Sequence, residues 1–293
     1  DRQESSLGSE NLTKIFYTRR AFRIYPLSIL VVTYIYLFGP SLSILSKHSF
    51  LANEISAVDF MGNLLLIQNF IKDSEILGPL WSLPYEMQMY LIFPLTYKLI
   101  KKYPSPIYLM SIWALTALLG SVFIPHINKL NAGLTYFKFP EYLNWIPCFI
   151  PGLIAFSLLK SKIKPIFPSW VFLGTIVFCT LLFQLSYRVE RYYFICLLIG
   201  LAIPLCKDLN NSWINWISAK IAKYSYGIYL IHYLCMWLAF ENLSDWPTTL
   251  QWVIFFTTLG IGSYILFHAV ENPLIKYGKK VAGSLRVTRE NIR

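Results

Sequence analysis

Charge is what this sequence has least of. Only 14% of its 293 residues are charged, where a soluble domain carries about a quarter. Acidic residues are scarcer still, 15 against 26 Lys and Arg, for a net charge of +11. That sign could suit a nucleic-acid binder, but the basic residues sit in short clusters between apolar runs and not on one soluble face, which argues against nucleic acid. Cysteine is equally sparse. Cys148, Cys179, Cys196, Cys206 and Cys235 form no C-x-x-C pair and are odd in number, so neither a disulfide framework nor a zinc site is expected. They read as small apolar side chains, and no metal is implied. P-loop, G-x-S-x-G, H-E-x-x-H and G-x-G-x-x-G motifs are all missing. There is no internal repeat, no low-complexity linker, and no loop long enough for a separate domain. The polar opening DRQESSLGSEN lacks the character of a signal peptide.

Apolar residues fill the space left by charge, at 56% of the chain with a mean hydropathy of +0.50. Eight stretches are long and apolar enough to cross a bilayer as helices, at 24–46, 80–97, 106–125, 145–160, 167–186, 192–206, 224–241 and 249–270. A ninth, 57–71, is short and carries Asp59, Asn63, Gln68 and Asn69. Charge decides its place. If it stays on one side, 20 of the 26 Lys and Arg fall on a single face, in 1–23, 98–102, 160–164, 207–223 and the tail. If it crossed, that bias would vanish. The expectation is an all-α polytopic bundle with about eight crossings in one membrane-embedded domain. Both ends would be cytoplasmic, and 57–71 would be re-entrant or interfacial. Trp81, Trp145, Trp213, Trp216 and Trp252 lie near helix ends, where aromatic belts anchor to the interface.

Chemistry has few places to reside in such a chain. Glu86 is the only carboxylate well inside a crossing, and a charge at that depth costs roughly 3 kcal/mol or more unless paired or hydrated. Ser82, Glu86 and Tyr90 recur at i, i+4 and i+8 on one helix face. A functional carboxylate is one reading, and an acid holding helices together is the other. At the mouth of the first crossing, FYTRRAFRIYP (16–26) lets Arg19, Arg20 and Arg23 converge at i, i+3 and i+4. Their guanidinium forks suit phosphate, although a membrane anchor uses the same residues. Ser225, Tyr229 and His232 share a face at i, i+4 and i+7, which suggests an inward polar stripe. His232 there is either a packed, satisfied histidine or a catalytic one. His268 and Glu271, at i and i+3, are expected to make structural contacts. On the residues alone, transporter and enzyme stand close to equal.

Four segments resemble the acyltransferase-3 family of membrane acyltransferases. FYTRRAFRIYP (16–26) is similar to its R-R-x-x-R-I-x-P segment. GPLWSLPYEMQMYLIFPL (78–95) is similar to its W-S-L-x-x-E segment, with Met89 where an aromatic residue usually stands. IAKYSYGIYLIHY (221–233) and HAVENPLIKYGKK (268–280) resemble the S-Y-x-x-Y-L-x-H and final E-x-P segments. The resemblance implies transfer of an acyl group from a cytosolic acyl-CoA, such as acetyl-CoA, to a hydroxyl of an extracytoplasmic saccharide or glycolipid. It implies a plasma membrane location, the bacterial inner membrane. It makes Arg20 and Arg23, with Arg19 beside them, ligands of the donor phosphates. Glu86 becomes an active-site acid; His232 stands as a catalytic candidate through its inward stripe, since its motif is not the one that carries the family's base. Trp81, Ser82, Tyr90 and Tyr229 become the lining of the substrate pocket. Acyl-CoA enters as donor substrate, with no permanently bound cofactor. The family pattern also begins with two further crossings bearing an Arg and a His in the role of catalytic base. Neither is matched here, so the chain is expected to be N-terminally incomplete and inactive by itself. A proton-coupled transporter using Glu86, and a non-catalytic membrane subunit, are the rival classes.

Overall fold

The computed structural model describes residues 9–44, 55–71, 76–102, 105–123, 144–161, 163–185 and 188–287. Among them every long element is helical, and the one bridge between extended residues joins Phe167 to Cys206. The elements are α1 (Ser9–Ile44), α2 (Ala57–Leu64), α3 (Ser82–Lys102), α4 (Pro106–Leu118), α5 (Ile146–Lys160), α6 (Ser169–Leu185), α7 (Val189–Leu205), α8 (Ser212–Met236), α9 (Thr248–Leu266) and α10 (Asn272–Val287). Wider π turns extend α4 over Leu119–Phe123 and α8 over Trp237–Asn242, and Phe267–Glu271 joins α9 to α10. Packing divides the chain into two compact units, Asp1–Pro84 with Trp216–Arg293, and Tyr85–Asn215.

In the first unit α1 is the spine. Its buried residues Ile24, Leu27, Ser28, Val31, Val32 and Ile35 recur at intervals of three, one, three, one and three, the stripe of a helix packed on one side. Leu30, Leu37 and Phe38 stay exposed, as a lipid-facing surface allows. α10 runs against α1. Gly278 makes that approach possible, since a Cβ there would meet Phe22 at 2.5 Å, and Tyr277 stacks edge-on to Phe22 at 5.5 Å.

The segment 57–71 is no spanning helix. α2 has 8 residues, about 12 Å at 1.5 Å per residue. Ser56 starts it with a capping box, accepting from Asp59 N at 3.1 Å while its own N–H donates to Asp59 Oδ2 at 3.2 Å. Leu66, at φ 56°, then reverses the chain in the left-handed region, a strained setting for a branched side chain. The return leg is held by buried amides. Gln68 Nε2 donates to the Leu80 carbonyl at 3.0 Å, and Asn63 Oδ1 accepts from Ile76 N at 3.3 Å. The polar residues that set this stretch apart in the sequence thus fold it back and deliver Gly78–Trp81, a tight 3₁₀ turn, to the start of α3.

The second unit centres on α5, which packs against α4 and α7, while α6 lies on α7. Leu109, Ile150, Ile154 and Leu197 form its core. At the α5–α7 seam a Cβ on Gly200 would stand 2.7 Å from Pro151 Cβ and 2.9 Å from its carbonyl oxygen, so only glycine fits.

Each of the eight apolar stretches carries a helix over its described residues. Among the described residues three helices are long and apolar enough to span by length and composition, Leu12–Gly39, Pro106–Phe123 and Thr248–Ser284. α5 and α6 are apolar but only 15 and 17 residues long. The helix ends depart most from the hydropathy reading. α1 begins at Ser9 and α8 at Ser212, and the last helix continues through the 270 boundary to Val287. Lys and Arg are good helix formers, so a helix runs on where its lipid-facing composition stops. His48, His126 and the loop residues 47–54, 72–75 and 126–143 lie outside the described residues.

Candidate functional site

Two segments far apart in sequence meet in the first unit. Leu77 is the extended residue before the turn, Pro79 takes an early position in it, and Ser82 follows as the first residue of α3. α8 supplies the other side. Ser82 Oγ and the Tyr229 hydroxyl are 2.8 Å apart, and the same Tyr229 hydroxyl donates to the Pro79 carbonyl. A carbonyl can only accept, so the Tyr229 proton is spent on Pro79 and Ser82 donates to Tyr229. Gly78 admits the neighbouring aromatic: a Cβ there would stand 2.9 Å from Tyr233 Cε1.

His232 is half-buried one turn along α8. Its Nδ1 lies 2.7 Å from the Tyr229 carbonyl oxygen, and its ring packs edge-on against Tyr233 at 4.9 Å. Because that oxygen cannot donate, Nδ1 bears the proton of the neutral ring and Nε2 carries the lone pair. The imidazole is therefore oriented as a proton acceptor at Nε2. Trp81 is exposed at the same turn.

On α3, Glu86 accepts a hydrogen bond from the Tyr90 hydroxyl one turn on. The i, i+4, i+8 face read from the sequence therefore works as two bonded pairs, Ser82 with Tyr229 and Glu86 with Tyr90. Met89, where the family has an aromatic residue, is buried at 5% exposure.

The arginines divide. Arg19 and Arg23 are exposed on one face of α1, while Arg20 is half-buried with its guanidinium 5.5 Å from the Phe16 ring centroid. The expected polar stripe on α8 begins later than its spacing suggests. Ser225 is exposed and turns back to the Ala222 carbonyl at 3.0 Å, while Tyr226 points inward and donates to the Ile24 carbonyl at 2.7 Å. Tyr226 stands one residue off the Ser225, Tyr229 and His232 register, so spacing gives it no sequence signal. The Pro79 carbonyl, a backbone group, leaves no sequence signal at all. His268 packs on Tyr264 at 4.4 Å, with its Nε2 3.4 Å from the Tyr224 hydroxyl. Among the described residues no three His, Cys, Asp or Glu gather as metal ligands.

A fold built of apolar helices, three of them among the described residues long and apolar enough to span a bilayer, marks a membrane protein. The family model for an acyltransferase domain matches residues 10–268, and the chain belongs to this acyltransferase-3 family. No curated protein and no solved structure matches the chain.

Proposed function

We propose that the protein transfers an acyl group, acetyl in the first instance, from a cytosolic acyl-CoA to a hydroxyl of an extracytoplasmic saccharide or glycolipid. Membership of the acyltransferase family supports the reaction class. The observation that carries the site is the hydrogen-bonded union of Pro79 and Ser82 with Tyr229, one turn from His232, whose ring is held at Nδ1 by the Tyr229 carbonyl. His232 Nε2 takes the proton of the acceptor hydroxyl as its oxygen attacks the thioester carbonyl. The new C–O bond forms, the C–S bond breaks, and the leaving thiolate takes up the proton as free CoA. Glu86, held by Tyr90, is the second acid–base group. Ser82, Trp81 and Tyr229 line the acceptor site, and Arg23, Arg20 and Arg19 hold the donor phosphates.

The setting is one membrane-embedded domain with eight crossings, in the plasma membrane, with both ends of this chain cytoplasmic. The 20-to-6 partition of Lys and Arg supports that topology, as does a 57–71 segment too short to cross. Proteoliposomes given acetyl-labelled acetyl-CoA and bacterial envelope glycans test the reading. Acceptor-dependent CoA release from the whole protein, reduced about 10²–10⁴-fold by His232→Ala, is expected. Turnover that survives His232→Ala assigns the base to another group, such as the family's separate histidine. Proton-driven solute uptake with no acyl transfer overturns the proposal in favour of a transporter.

A further inference from the structure

The central seam of the second unit brings two cysteines together. Contacts on either side of them fix the register of α5 against α7. At the start of both helices the Trp145 and Tyr192 rings stand 5.8 Å apart. Three residues on in α5 and four on in α7 come Cys148 and Cys196, and the same step again leads to Pro151 and Gly200. There a Cβ on Gly200 would lie 2.7 Å from Pro151 Cβ. Steps of three and four are successive turns on one helix face. They advance together, so α5 and α7 run parallel and the cysteines occupy the rung between two close contacts. Their thiols are hydrogen-bonded to each other. A disulfide needs Cβ atoms about 3.5–4.5 Å apart, and the seam is already narrower than that one rung beyond. Both thiols are half-buried, whereas Cys179, Cys206 and Cys235 are buried.

We propose that Cys148 and Cys196 are an oxidisable pair that closes into a disulfide and ties α5 to α7. The oxidant is a small-molecule disulfide. One cysteine, as thiolate, attacks its S–S bond; a mixed disulfide forms and one thiolate leaves. The second cysteine attacks the mixed disulfide and releases the other half of the oxidant. The two cysteines give up two electrons and two protons, and the oxidant becomes two thiols. The bond removes freedom from the unfolded chain between α5 and α7, so it stabilises the closed seam. The side of the membrane rests on the proposed topology, which sets the starts of α5 and α7 at the extracytoplasmic face, where disulfides form and persist. No C-x-x-C spacing announces the pair, because two parallel helices with a third between them in sequence bring it together.

Peptide mapping of the whole protein, purified in detergent and treated with oxidised glutathione, tests the pair. A cross-linked peptide carrying Cys148 and Cys196 is expected, with an intact mass lower by two hydrogens and restored by dithiothreitol. The oxidised protein should melt about 5–10 °C above the reduced one. That difference should vanish in Cys148→Ala and in Cys196→Ala and persist in Cys179→Ala. The mapping needs no variant, so it decides even where a substitution fails to fold. Two free thiols after oxidation overturn the proposal, as does Cys196 joined to Cys179, its other cysteine neighbour. Acid trapping of thiols in intact cells then tests the side of the membrane, and an oxidised pair is expected. A pair that closes in detergent but stays reduced in cells overturns the extracytoplasmic placement, while the thiol pair stands.

Discussion

Replacing Tyr229 by Phe removes one oxygen and strands two partners. The Pro79 carbonyl, in a buried residue, loses its donor, and the Ser82 hydroxyl loses its acceptor. Each stranded buried group costs about 1–3 kcal/mol in a soluble protein. Interhelical hydrogen bonds inside membrane proteins average nearer 0.6 kcal/mol, because the unfolded chain in lipid also finds partners. A loss of about 1–4 kcal/mol for Tyr229→Phe follows from these bounds. Ser82→Ala is milder, since it removes a donor only and leaves the Tyr229 proton on Pro79, so about 1 kcal/mol or less is expected. The two changes share a bond and should not add: the double variant falls short of the sum by about 0.5–1 kcal/mol. Equilibrium unfolding in mixed micelles measures all three. The His232 partner is the Tyr229 backbone carbonyl, so the imidazole keeps its orientation in Tyr229→Phe and any fall in activity reports acceptor placement. Ser82→Ala costing as much as Tyr229→Phe would refute the assignment, because the Tyr229 proton would then point at Ser82.

Other expectations concern the two units and the topology. Glu86→Gln keeps an oxygen to accept from Tyr90, so expression and melting should be unchanged while acyl transfer is largely lost; an active Glu86→Gln protein would return Glu86 to a structural role. Gly200→Ala drives a methyl into Pro151 and should destabilise the α5–α7 seam by about 1–3 kcal/mol, whereas Ala at Gly174, which has open space, should be tolerated. Cysteines placed at Lys164 and Lys207, both exposed, should resist an impermeant thiol reagent in intact cells. Labelling from outside would overturn the cytoplasmic placement of these loops.

The sequence by itself determined the class of protein and most of its helices. Low charge and long apolar runs admit few folds, since every backbone polar group in lipid needs an internal partner. The special character of 57–71 was legible too, because its Asn and Gln side chains interrupt the apolar run. They are the groups that bond the returning chain at Ile76 and Leu80. The family motifs lay in plain view, and Glu86 with Tyr90 is a local pair that helical periodicity alone suggests. Tertiary structure decided the rest. Nothing in the sequence spacing joins Ser82 to Tyr229, 147 residues away, or turns the Tyr229 proton toward the carbonyl of Pro79. Periodicity also pointed Ser225 inward, where packing against α1 selects Tyr226. A π turn, which no residue type announces, packs on α1 and buries Glu271. Hydropathy measures what lipid touches, and these contacts are made on the side of each helix that lipid does not reach.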